Sequence, residues 1–306
     1  MPSITIVGSL NMDLVVRVAH LPASGETILG RDYHTIPGGK GANQAVAAAR
    51  LGGVVHMVGR VGQDKYGQTL RDNLSAEGIN VDYVGTDSGS ASGVALITVD
   101  EAGANTIVVA PGANMAFTPQ DVSQAFNRIA SMDVLVLQLE VSLDCVLEAA
   151  RAGRARGAKV VLNPAPARLL SDEIYKNVDV LIPNETETGL LTGLAVDTLE
   201  QAGLAANRLL EMGVGGVVLT LGGRGALVVA PAESSIHIPP HAVQVVDTTA
   251  AGDAFVAGLA VGLAEGLSLA EAARLGNSAG AIAVTRLGAQ PSMPTRDDMA
   301  RMLEAS

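Results

Sequence analysis

The chain has 306 residues, enough to bury a large core as one α/β domain or as two smaller ones. Lys and Arg number 20 against 31 acids, and the net charge of −11 excludes a nucleic-acid partner held by phosphate neutralisation. It does not exclude a single nucleotide held by local amides. With no Trp, three Phe and four Tyr, stacking platforms are scarce, so recognition has to be polar.

The start, Met1-Pro-Ser-Ile-Thr-Ile-Val7, enters a strand without a basic segment or a cleavable apolar region. No export signal is read there, and a cytoplasmic location is expected. Short β-branched runs recur at Ile4–Val7, Val54–Val58, Val134–Leu137, Val160–Leu162, Val180–Ile182 and Val217–Leu221. Between them, Ala/Leu-rich patterns predict helices near Gly41–Leu51, Tyr66–Ala76, Pro119–Ile129, Leu143–Ala155, Leu199–Met212, Gly252–Ala264 and Leu269–Thr285, the last capped by Ser268. The alternation predicts an α/β fold, a doubly wound and mainly parallel sheet with helices on both faces.

Two segments break that rhythm. Leu14–Val18 with Glu26–Ile36, and Gly93–Val99 with Ala104–Val109, alternate like strands with no helix between, and Asp100-Glu-Ala-Gly-Ala104 reads as a hairpin turn. They are assigned to a small β-lid, residues 14–36 and 93–110, inserted in a single domain 1–306; an antiparallel edge of the large sheet is the alternative. The longest apolar stretches, such as Ala254–Ala264, fall short of the roughly 18 residues that span a bilayer, so no membrane partner is expected. Cys145 is the one cysteine, which rules out an internal disulfide or a thiolate zinc site and leaves a small helix-face residue.

The motifs follow in chain order. Gly8-Ser-Leu-Asn-Met-Asp13 trails the first strand, so Asn11 and Asp13 lie at a carboxyl rim, where open α/β sheets bind ligands. An ionised Asp13 can accept hydrogen bonds from two neighbouring hydroxyls; a turn-capping Asp is the alternative. In Pro37-Gly-Gly-Lys-Gly-Ala-Asn43, glycines at a helix entry let Gly38 and Gly39 approach a small ligand, with Lys40 and Asn43 adding polar contacts. This is not a P-loop, because Gly41 follows Lys40 where Ser or Thr is needed and the glycine spacing is wrong; a purely structural turn stays open. Nor does a Rossmann G-x-G-x-x-G follow the first strand. Glu140 ends a predicted strand at the same rim, and Asn184-Glu-Thr-Glu187 reads by itself as a helix-start acid pair.

Asp247-Thr-Thr-Ala-Ala-Gly-Asp253 places a small-residue turn at a helix start. The N–H groups of Ala250, Ala251 and Gly252 are expected to face an anion there. Asp253 would take a proton from a hydroxyl attacking phosphorus; a helix-stabilising first-turn acid is the alternative. Ala283-Val-Thr-Arg-Leu-Gly-Ala-Gln-Pro-Ser292 is a helix end running into a turn, which Gly288 could cap.

Asp247–Asp253 resembles the carboxy-terminal signature D-T-x-G-A-G-D of the ribokinase family of carbohydrate kinases, and Gly38–Asn43 resembles the family's amino-terminal signature. One position departs. Ala250 stands where most members have Gly, so the backbone there must reach the anion without positive φ or with modest strain. Six elements match in order from Gly8 to Ser292.

The resemblance implies transfer of the ATP γ-phosphate to the 5-hydroxyl of D-ribose, with Asp253 as base and Ala250, Ala251 and Gly252 as the anion hole. It implies that Asn11, Asp13, Gly38, Gly39, Lys40, Asn43 and Glu140 hold the sugar. Asn184 and Glu187 would orient phosphate and Mg2+-bound water; Thr220, Gly222, Gly223, Gly225 and Gly252 would line the nucleotide, with Asn277 beside the adenine. Asp247, Thr249, Ala283, Arg286, Gly288 and Ser292 resemble the family's monovalent-cation site, whose hard oxygens suit K+. The lid would close over the sugar and pair between the subunits of a homodimer. A kinase for another pentose, deoxyribose or a nucleoside is the alternative enzyme, and a sugar or nucleotide sensor lacking the base is the non-enzymatic one.

Overall fold

Val, Ile and Leu runs without polar interruption suit strands covered on both faces. The computed structural model describes residues 2–231 and 234–304 and bears this out. In chain order the strands are β1 (Ser3–Val7), β2 (Asn11–Arg17), β3 (Asp32–Gly38), β4 (Val54–Gly62), β5 (Asn80–Asp87), β6 (Gly93–Val99) and β7 (Asn105–Ala110). After them come β8 (Val134–Leu137), β9 (Lys159–Leu162), β10 (Val180–Leu181), β11 (Val217–Thr220), β12 (Ala226–Val229) and β13 (Ile236–Ile238). Among the described residues the main sheet has nine strands in the order β13-β12-β11-β10-β9-β8-β1-β4-β5. Neighbours from β11 to β5 pair parallel, while β12 and β13 form an antiparallel edge.

Strand order reverses between β1 and β8. Open α/β sheets bind their ligands in the crevice beyond the carboxyl ends at such a point, because the connections on either side diverge to opposite faces. Alternation along β1 sends Ile4 and Ile6 into one core, with the helices Lys40–Arg50 and Ala251–Ala264, and Val7 into the other, with Pro119–Arg128, Leu143–Ala155 and Leu199–Glu211. The expected helices match the observed ones to within two residues, and Ser268 does cap Leu269–Ala283, through a capping box with Glu271. Cys145 lies buried on the helix Leu143–Ala155, its thiol against the Phe117 carbonyl. No helix of the described residues is long and apolar enough to cross a membrane.

Periodicity does not reveal β5, β12 and β13. β5 is a half-exposed edge interrupted by Asp82 and Gly85, β12 follows directly on the glycine loop 222–225, and β13 has only three residues. The short helix Asp172–Lys176 escapes because so few residues carry too little pattern, whereas Glu185–Thr192 begins at the helix start indicated by Asn184–Glu187.

The two irregular segments form a separate sheet in the order β3-β2-β6-β7. Asp100 makes the hairpin turn as expected: its carboxylate accepts the N–H groups of Ala102 and Ala104 at 2.9 and 2.8 Å. The strand expected over Glu26–Ile36 is shorter, starting only at Asp32. Glu26 instead accepts the Ala23 N–H at 2.9 Å and meets His20 at 3.1 Å, which closes a turn. β2 begins at Asn11 and not at Leu14, with Asn11 opposite both Gly38 and Gly93, so this sheet rises directly from the crevice rim.

Candidate active site

The helix Ala251–Ala264 enters the crevice amino end first, and ten of its residues from Asp253 to Gly262 are buried. Small residues let it sit close to Leu269–Ala283: a Cβ on Gly258 would lie 2.9 Å from that of Ala279, and one on Gly262 only 3.0 Å from the Ala272 Cα. This seating holds Asp253 at 5% exposure. Its two oxygens accept from the Asn43 and Gln44 side-chain amides, each at 3.0 Å. Burial pushes its proton affinity up, while the Lys40 ammonium and the two amide donors oppose that.

The turn before it is strained. Ala250 has φ +58°, the one non-Gly residue among the described residues in the left-handed region, so of the two backbone routes open to this alanine the strained one is taken. The expected anion hole needs correction at one position. The Ala251 N–H leans back on the Thr248 carbonyl at 3.3 Å, which leaves Ala250 and Gly252 as the donors without a backbone acceptor among the described residues.

Across from Asp253, the turn 8–11 and the helix entry 38–41 pack backbone against backbone. A Cβ on Gly39 would lie 2.7 Å from the Asn11 nitrogen and one on Gly41 2.7 Å from that of Ser9. Gly39 also has φ +88°. A Cβ on Gly38 would strike the Asp13 carboxylate at 2.4 Å. Asp13 is therefore a strand residue facing the crevice, and not a turn cap. Glu140, past the end of β8, accepts from the Ser9 hydroxyl at 2.5 Å, the Lys40 N–H at 3.2 Å and the Asn11 amide at 3.4 Å. Burial and the neighbouring Glu140 and Asp253 raise the Asp13 carboxyl to about 7. Lys40 is the balancing cation; Asp253, then Glu140 and Glu187, hold it protonated.

On the far side, Asn184 and Glu187 act as N-cap and third residue of their helix and bond reciprocally at 2.8 Å. The helix-start reading is thus their local role. Even so, Glu187 is buried and its proton affinity raised, by burial first, with Lys40 opposing. Asn184 bridges to Thr220, bringing this element beside the loop after β11. Gly222 and Gly223 face open space, whereas a Cβ on Gly225 would strike the Ile238 carbonyl at 2.0 Å. Gly225 therefore serves the β12–β13 packing and does not make room for a ligand. Asn277 spends its amide on the Pro239 carbonyl at 3.0 Å.

The structure brings together half of the expected cation site. Asp247 accepts from the Thr249 N–H and hydroxyl at 2.9 and 2.7 Å and from the Gly288 N–H at 2.8 Å, joining the anion turn to the 283–292 segment. The rest differs: the Ala283 carbonyl accepts the Arg286 N–H, Arg286 pairs with Asp298, and the buried Ser292 hydroxyl donates to Ala289. Among the described residues Asp247 has no basic partner, so its half-buried carboxylate meets only N–H and hydroxyl donors, and a monovalent ion would add a counter-charge beside it.

Buried amides are what the motifs did not reveal. Gln44, Gln138 and Asn114 are all within 1% of full burial; Asn114 fastens the 8–11 turn through both Leu10 backbone groups and Asn11 Oδ1. Their sequence signal is a polar residue inside an apolar run, as in Ala-Asn-Gln-Ala and Val-Leu-Gln-Leu, which a folded protein keeps buried only when bonded.

Residues 1–296 match the pfkB family carbohydrate kinases. A ribokinase of Haemophilus influenzae is 43% identical over 302 residues, covering 99% of this chain and 98% of its own length. One of Bacillus subtilis is 40% identical over 303 residues, covering 99% and 100%. The structure of Arabidopsis thaliana ribokinase complexed with ribose and ATP superposes with a TM-score of 0.92 at 34% identity, covering 100% of this chain and 99% of that one. With a buried acid at the mouth of a helix, a polar rim facing it and a match across nearly its whole length, this chain belongs to the pfkB family of carbohydrate kinases.

Proposed function

We propose that the chain transfers the γ-phosphate of ATP to the 5-hydroxyl of D-ribose, giving D-ribose 5-phosphate and ADP. The observation that carries this is the position of Asp253, a buried carboxylate held by two amides, between the donor-bearing turn 250–252 and the rim built by Asn11, Asp13 and Glu140. Full-length identity to ribokinases supports the choice of sugar.

Asp13, when ionised, accepts from adjacent ribose hydroxyls, and the buried Asn43 Oδ1, unpartnered among the described residues, offers another acceptor. Asp253 takes the proton of the 5-hydroxyl as that oxygen bonds to the γ-phosphorus, and the bond from phosphorus to the ADP oxygen breaks in line. Gly252 and Ala250 N–H groups and the Lys40 ammonium face the charge that shifts onto the phosphoryl oxygens. Mg2+ arriving with ATP would neutralise phosphate charge, with Asn184 and Glu187 orienting its water. K+ at Asp247 would steady the Ala250 turn.

The small sheet acts as a lid over the sugar. Leu96 and Val108, opposite each other on β6 and β7, are 52% and 64% exposed on one face of it, an apolar pair suited to a second copy of the same lid in a homodimer. Use of ATP and a lone, buried Cys145 fit a reducing, cytoplasmic setting.

The experiment is coupled ADP release with a panel of D-ribose, 2-deoxyribose, 5-deoxyribose, hexoses and nucleosides. The reading expects the highest kcat/KM with D-ribose and no turnover of 5-deoxyribose. A nucleoside or hexose preferred by tenfold or more would reassign the substrate.

A further inference from the structure

The base does not stand alone. Gln44 donates from Nε2 to Asp253 Oδ1 at 3.0 Å, and its Oε1 accepts from Gln138 Nε2 at 2.6 Å. The second Nε2 hydrogen of Gln44 reaches Asn163 Oδ1 at 3.5 Å, and Asn163 is tied in turn to the Ile182 carbonyl at 2.9 Å. An ionised carboxylate only accepts, which fixes the amide direction down the chain. Gln44 must show Asp253 its nitrogen, so it shows Gln138 its oxygen, and Gln138 must answer with its own nitrogen.

That direction has a cost at the far end. Gln138 Oε1 is left buried without a partner among the described residues, lying 1.9 Å from where a Cβ on Gly8 would stand. Any side chain at position 8 would displace Gln138. A buried orphan acceptor is unfavourable by itself, so the chain carries a local cost in stability. Both glutamines are 0% exposed, far from any role in solvation.

We propose that Gln44, oriented by Gln138 packed against Gly8, is a positioning residue that presents Asp253 to the attacking hydroxyl. It rests on the kinase reading above. The dyad fixes one carboxylate oxygen through Gln44 while Asn43 fixes the other, leaving one free lone-pair direction on each oxygen for the incoming proton. The charged groups around Asp253 are Lys40, Glu140, Asp13 and Glu187; three of the four are acids that disfavour the ionised base, so neutral amide donors supply what the local charges do not.

The test is the pH profile of kcat for wild type, Gln44→Leu, Gln138→Leu and the double variant. Loss of a donor to the ionised base should move the acid limb of Gln44→Leu upward by about one pH unit, a roughly tenfold loss on the acid side that mostly recovers at high pH. KM for ribose should stay within about twofold. Gln138→Leu should shift the limb the same way by less, and the double variant should match Gln44→Leu alone, because the two act through one chain. A lowered Tm with an unmoved acid limb would reduce the dyad to packing and overturn the inference, as would additive losses in the double variant. Should Gln44→Leu not fold, Gln138→Met carries the same test, and an unshifted limb there overturns it equally. Wild type inactive on every sugar would remove the kinase reading itself; an active wild type with unshifted variants removes only the dyad.

Discussion

On the acceptor side of the crevice, Ser9, Asn11, Asn43, Gln44 and Glu140 bond to one another or to Asp253 without any ligand. On the side proposed for the nucleotide, Gly222 and Gly223 offer bare backbone to open space. The first region fixes the reacting groups in advance, which lowers the reorganisation left for the chemical step. The second provides a shape that a nucleotide has to complete. Substitutions on the acceptor side should therefore damage kcat or ribose binding far more than ATP binding.

The sharpest way to break that contrast is Asp253→Asn, which keeps the shape and removes the base. A fall in kcat of about 10²–10⁴ is expected with ribose and ATP binding retained, measured by steady-state kinetics and calorimetry. More than about a third of wild-type kcat would take Asp253 out of catalysis. Next in size, Asp13→Ala should raise KM for ribose by roughly tenfold or more, with a smaller change for ATP, since the lost bonds involve a charged acceptor. Unchanged ribose kinetics would misplace the sugar.

Replacing K+ by a large organic cation at equal ionic strength should lower kcat by at least about threefold, with Na+ between, because Asp247 and Thr249 lead straight into the strained Ala250 turn. Equal rates would return the 283–292 segment to a helix-ending turn. The smallest effect concerns stability. An acid whose pKa rises from 3.8 to about 7 on folding contributes stability below 3.8 that is lost as pH climbs through 7. At pH 8 ionised Asp13 thus opposes folding, and Asp13→Asn should raise Tm by roughly 2–4 °C there, with the gain shrinking at pH 5. A uniform Tm change at both pH values would mean that Asp13 is not under charge stress.

How far the sequence could be read follows the same division. Six parallel strands announce themselves because each is a short run rich in Val, Ile and Leu, and the helices between them are long enough to show a period. The segments 8–13, 38–43 and 247–253 are legible because their glycine and acid spacing resembles the family's signatures. What stayed hidden depends on contacts between distant residues. Gln138 meets Gln44 across 94 positions, and the Ala251 N–H turns to Thr248 only in the folded turn. Gly225 looks like its neighbours Gly222 and Gly223 until β13 is seen against it.

In the proposed reaction Asp253 and the rim opposite it select one hydroxyl of one sugar. The most direct measurement is the site of the new phosphate ester, read by phosphorus and carbon NMR on the product formed from D-ribose and ATP. The expected product has phosphorus coupled to C5 through two bonds and to C4 through three, with no coupling to C1, C2 or C3 and one ADP released per ester. A product esterified at C1 or another ring carbon, or ADP released without any sugar ester, would contradict it.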